Sequence, residues 1–169
     1  MGSEAIALTI AGAGTGLAAV IDLRTRRIPN VLTAGLAAIG LCIAAAELGP
    51  VGLGGAVLGC ALGLAFMLPG HFFGGTGAGD VKLFAAAGAL LGPSTTVTAF
   101  LFTAMIGGVL ALAIAIRRRR LFTTIRSTSR LVSNPSEGVR AVESPDADNR
   151  FAYAPAIAVG VMASIFLSL

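Results

Sequence analysis

The sequence predicts an all-α, polytopic integral membrane protein with about six transmembrane helices and both termini outside. Three observations carry that reading. Of the 169 residues 56% are hydrophobic and 12% charged, where a soluble domain has about 25% charged residues. With a mean hydropathy of +0.89, the chain lacks the polar surface to coat a soluble globule. Its apolar runs also approach the roughly 20 residues that a helix needs to cross a bilayer. Finally, Trp is absent, Tyr153 is the only tyrosine, and no run alternates apolar with polar residues. A transmembrane barrel would require that alternation.

The first apolar run covers residues 5–21. Glu4 precedes it, and Arg24, Arg26 and Arg27 follow it. A signal peptide has the opposite polarity, with its positive charge first, so a retained helix is predicted. Gly12 and Gly16 offer it a face of small residues for close packing. Residues 22–30 form a polar break, in which Pro29 holds Ile28 extended and suits the start of the next helix. The second span is 31–47, followed by the turn Leu48-Gly49-Pro50. The third is 51–69, where Gly55, Gly59 and Gly63 share a face that packing explains best.

Residues 70–80 are a glycine-rich loop. A short helix over 81–92 follows, ending at Gly92-Pro93-Ser94. A helix that short rises only about 18 Å, so it must tilt, thin the bilayer or sit partly within the protein. Residues 95–116 are a full span. Residues 117–150 are the one long polar segment, with Arg117 to Arg120 at its start and Glu137, Glu143, Asp146 and Asp148 towards its end. Its composition fits either a surface segment lying on anionic lipid or a linker. The last span is 151–168.

Charge orients these segments. With the N-terminus outside, the inside segments 22–30, 70–82 and 117–150 hold all 12 Lys and Arg residues. The outside segments hold Glu4 and Glu47 and no base, in agreement with the positive-inside rule. The short helix is then a true crossing, because otherwise the four consecutive arginines would face outside. The lipid bilayer is the partner this implies. No nucleic acid partner is predicted, and oligomeric state is not determined by these features.

Cys42 and Cys60 each lie within an apolar run and read as small buried hydrophobes. His71 is the only histidine, which excludes a multi-histidine metal site. Neither metal nor cofactor is predicted.

Two acids stand out. Asp22 and Asp80 fall at the same inner depth, each in a turn-rich polar motif, where an ionisable group is costly and often functional. Each also has a plainer use: Asp80 as a helix cap, Asp22 as a partner for Arg24 or Arg26. Two carboxylates held close resist joint ionisation, so they share a proton and titrate as a unit. The ionised member can take a proton from water while the protonated member polarises a carbonyl, which is the chemistry of aspartic proteases. The glycines from Gly74 to Gly79 match the start of a phosphate-binding loop. Asp80 and Val81 stand where Lys and Ser or Thr are required, so nucleotide binding is rejected. Gly77 and Gly79 instead allow close backbone approach, and Gly74 and Gly75 read as a plain turn.

Gly77-Ala78-Gly79-Asp80-Val81-Lys82 resembles the GxGDxK signature of the GxGD intramembrane aspartic proteases. Asp22-Leu23-Arg24-Thr25-Arg26-Arg27-Ile28-Pro29-Asn30 resembles the first-aspartate motif of their type IV prepilin peptidase branch. Tyr153-Ala154-Pro155-Ala156-Ile157-Ala158-Val159-Gly160 is similar to that branch's segment at the start of the last helix. The resemblance covers nearly the whole chain as one domain, 1–169. It implies that Asp22 and Asp80 are catalytic, with Pro29, Asn30, Gly77, Gly79, Lys82 and Pro155 supporting the motifs or binding substrate. It further implies cleavage of prepilin or pseudopilin leaders at the cytoplasmic face of the bacterial inner membrane. The four-cysteine cytoplasmic domain of the methylating members is missing, so the chain looks like the small peptidase-only form of tight-adherence pilus systems, without methyl transfer. The long segment 117–150 and Ala154, where Gly is common, depart from the pattern.

The competing class is a proton-coupled carrier that uses Asp22 and Asp80 as a relay. Against it, no helix shows a broken midplane and the halves show no inverted repeat. The topology has its own test, with Ser3→Cys and Ser136→Cys made in a background lacking Cys42 and Cys60. A membrane-impermeant thiol reagent applied to intact cells labels position 3 only. Labelling at position 136 overturns the orientation.

Overall fold

A computed structural model describes residues 3–73, 75–117 and 153–168. Gly74 and nearly all of the polar segment 117–150 lie outside the described residues. Those described form five helices: α1 (Ser3–Thr25), α2 (Asn30–Ala45), α3 (Leu53–Phe72), α4 (Ala78–Arg117) and α5 (Ala154–Ser168). There are no strands among them. By length and composition α1, α3 and α4 can cross a membrane, whereas α2 and α5 are shorter apolar helices.

The sequence reading separates 81–92 from 95–116, and the structure breaks α4 at that point: within the stretch Ala78–Arg117 the backbone leaves the helical region at Gly92, with φ 76 and ψ 176. A straight helix of that length would run about 60 Å, twice the hydrocarbon thickness of about 30 Å. Instead it doubles back. The rings of Phe84 and Phe100 meet edge to face, 6.2 Å between centroids, where an unbroken helix would hold them about 24 Å apart. Phe100 also stacks on Phe66 of α3 at 4.7 Å. Pro93 follows the break at once, where its missing N–H is harmless in a new first turn.

The first half of this hairpin is the centre of the bundle. Residues 83–92 are all buried, and α4 packs against each of the other four helices. Of the three ways to place a short helix, the protein uses burial within itself. In lipid no hydrophobic force draws helices together, so close packing of small residues must do so. The α3 face of Ala56, Gly59, Gly63 and Met67 is buried. A Cβ on Gly59 would strike the Gly88 carbonyl, and one on Gly63 would sit 2.9 Å from the Ala85 Cα. Gly55 does not join them; a Cβ there would meet Val51, beside the α2–α3 turn, at 2.9 Å. On α1, Gly12 faces Met162 of α5, while Gly16 has nothing within 4 Å. Its small-residue face is thus used at one position only.

Helix ends follow local chemistry. Arg26 adopts the left-handed conformation, φ 52, and its N–H donates to the Asp22 carbonyl at 2.7 Å. That bond closes α1 as an αL cap. Glu47, φ 55, ends α2 in the same region, with Leu48 N–H donating to Ile43 and Glu47 N–H to Ala44, the pair of bonds of a Schellman motif. The buried face of α2 is Thr33, Leu36, Gly40 and Ala44. Cys42 falls off that stripe and is exposed, and Cys60 is half-buried, so the expectation that both are buried is corrected.

Gly92 generates a stability prediction. Its backbone region is essentially open to glycine alone, and an added Cβ would strike Val51. Gly92→Ala should lower stability by about 1–3 kcal/mol. Gly108 has open space around it, so Gly108→Ala should leave thermal unfolding in detergent unchanged or slightly raised. Equal Tm values for wild type and Gly92→Ala would contradict the hairpin.

Candidate active site

The site forms where three helix ends meet: the last turn of α1, the first turn of α4 and the first turn of α5. Asp22 belongs to α1, which runs to Thr25, so the acid sits within the helix rather than just past it. Asp80 is likewise inside α4, at its third residue, rather than before it. Gly77 takes the N-cap position instead. Its carbonyl accepts from the N–H groups of Asp80 and Val81, and its own N–H donates to Asp80 Oδ2 at 3.0 Å. This is the reach-back half of a capping box.

Asp22 is 6% exposed and Asp80 5%. They are close enough for the Asp22 charge to act on Asp80. Asp22 also lies within electrostatic reach of the Arg26 guanidinium and of the backbone N–H of Ala154. That N–H is one of the orphan donors in the first turn of α5, where Tyr153 O accepts from Ala156 and Ile157 and Pro155 has no N–H to satisfy. Both acids therefore lie at or beside helix starts, places that favour negative charge. One oxygen of each, Asp22 Oδ2 and Asp80 Oδ1, is buried and accepts no hydrogen bond among the described residues. Two neighbouring carboxyl groups, each with a spare buried acceptor, can share a proton and titrate as a unit.

The supporting residues are drawn to the same place. Pro29, φ −63, starts α2, its carbonyl accepting from Leu32 and Thr33. Asn30 Oδ1 accepts a hydrogen bond from Lys82 Nζ at 3.0 Å. A Cβ on Gly79 would lie 3.1 Å from the Ile28 Cβ, and one on Gly77 3.1 Å from Asp80 Oδ2. Both motif glycines thus have a steric reason: Gly77 leaves the carboxylate room and Gly79 admits Ile28. The glycine loop folds back on α3, with Gly75 and Thr76 N–H groups donating to Gly70 and His71 Nδ1 lying 3.0 Å from Thr76 O. Pro155 is the second residue of α5 and half-buried, at the first turn where proline's missing N–H is harmless.

Sequence reasoning selects Pro155 from its segment and misses its neighbour Tyr153. That phenol donates to Thr103 O at 3.4 Å, and a Cβ on Gly107 would strike the ring. Its signal was available: a lone tyrosine at the start of the last helix.

No curated protein and no solved structure matches the chain. The model of the type IV leader peptidase family matches residues 9–112, a stretch that holds both acids, the whole GxGDxK motif and the hairpin turn. By that match, over more than half of its length, the chain belongs to the type IV leader peptidase family.

Proposed function

We propose that the chain is a membrane-embedded aspartic endopeptidase that removes the leader of prepilin or pseudopilin substrates, with Asp22 and Asp80 as its catalytic pair. The observation that carries this is the pair itself: two buried carboxyl groups in electrostatic reach, each with a spare buried oxygen. One ionised carboxylate takes a proton from water as the water oxygen attacks the scissile carbonyl carbon. The other, protonated, donates a hydrogen bond to the carbonyl oxygen. The tetrahedral intermediate then breaks its C–N bond, and the amine leaves with a proton from the pair. No metal or cofactor is required.

The charge pattern supports a cytoplasmic face of the bacterial inner membrane, since all Lys and Arg residues fall on the segments assigned inside. Six crossings fit that pattern when each half of the α4 hairpin counts as one. Residues 1–169 act as one domain, and the activity is leader cleavage.

Asp22→Asn and Asp80→Asn keep shape and remove the shared proton. Each should lower kcat on a prepilin-like peptide by at least about 10²-fold, and the double variant should be no worse than either single, because groups acting as a unit lose function non-additively. Activity against pH should be bell-shaped, with apparent values belonging to the pair. Arg24→Gln is the control and should stay active. Cleavage retained in either Asn variant removes that acid from the mechanism.

A further inference from the structure

Asp22 and Asp80 sit on different helices, and something must hold those helices in register at the reacting end. Among the described residues, two side-chain contacts besides the acids themselves tie the motif around the first acid to the motif around the second. One is the packing of Ile28 on Gly79. The other is the hydrogen bond from Lys82 Nζ to Asn30 Oδ1, between residues 52 positions apart.

The path from each acid to this bond is short and stiff. On one side, Asp22 leads through the Arg26 αL cap, whose N–H is bonded to the Asp22 carbonyl, and through extended Pro29 to Asn30, the first residue of α2. On the other, Asp80 and Lys82 share the opening of α4, with Asp80 turned into the core and Lys82 on the exposed side. We propose that Asn30 and Lys82 form a clasp between the α1–α2 turn and the start of α4, and act as positioning residues that set the separation of Asp22 and Asp80. The proposal rests on the two-aspartate reading for its effect on catalysis, though not for the clasp itself.

The chemistry of the pair suits the task. A lysine ammonium bonded to an amide oxygen makes a charge-assisted bond. Both residues are exposed, so the bond adds little to overall stability. Catalytic groups, however, are sensitive to displacement, since an error of about 1 Å can cost about 10²-fold in rate. Loss of the clasp should therefore appear in kcat and not in unfolding.

Four variants test this: Lys82→Met, Asn30→Leu, the double variant and Asn30→Asp, which keeps an acceptor for the ammonium. Lys82→Met and Asn30→Leu should each lower kcat by about 10-fold, with KM and Tm near wild type. The double variant should match either single, and Asn30→Asp should stay within about threefold of wild type. A second measurement involves no catalysis. Asp22→Cys with Asp80→Cys, in a background lacking Cys42 and Cys60, is joined by a short bifunctional thiol reagent. Lys82→Met should reduce the yield severalfold, and Asn30→Asp should not. Additive losses of kcat, a fall in Tm that parallels the fall in rate, or an unchanged cross-linking yield each overturns the clasp. An intact cross-linking response in a protein whose Asp80→Asn variant still cleaves overturns the two-aspartate mechanism and leaves the clasp standing.

Discussion

The backbone contact of α3 with the first half of α4 is the constraint on which the rest of the bundle depends. Gly59 and Gly63 let α3 approach until its neighbours are Gly88 and Ala85 main-chain atoms. In water a wider, Leu-filled interface would serve as well. In lipid such an interface gains little, because the tails are as apolar as leucine. Close approach adds dispersion contacts that lipid cannot supply. It also surrounds the short helix on every side and makes residues 83–92 the core. Once that helix is central, its N-terminal end brings polar groups from several helices together.

Convergence creates an electrostatic problem that the helix termini relieve. Burying a carboxylate is costly unless it is bonded. Helix starts carry N–H groups that lack partners, and here the two needs cancel. Asp80 accepts from the N–H of its own cap residue, Gly77, whereas Asp22 lies beside the first N–H of α5. Capping and the proposed catalysis, which look like rival explanations of each acid, are therefore compatible, since each carboxyl group keeps one buried oxygen without a hydrogen bond among the described residues.

Much of this was legible in the sequence. Apolar runs and sparse charge dictate helices in lipid, since only a fully hydrogen-bonded backbone is tolerated there. Gly92-Pro93 marks the break in α4, because glycine alone accepts its backbone angles and proline alone prefers the position after it. Asp22 and Asp80 stand out as acids where acids are costly. The GxGDxK pattern and its partner motifs name the family that the match over 9–112 supports.

What tertiary structure decided is how those pieces meet. Local pattern ends α1 near Ile21, yet the helix continues through buried Asp22 to Thr25 and stops at a left-handed arginine, whose N–H closes the last turn on the Asp22 carbonyl. Nothing local says that the 81–92 helix is wrapped by the protein instead of by lipid; both environments are apolar, and only the depth of glycine contact distinguishes them. The Ala154 N–H, the Tyr153 phenol and the Asn30–Lys82 bond are likewise invisible along the chain. Each joins residues far apart in sequence through a backbone group or a single polar atom. The sequence by itself determined the class of fold and the two acids, since both follow from which side chains lipid will accept. The tertiary structure alone decided their partners, since a hydrogen bond depends on distance and direction that composition does not encode.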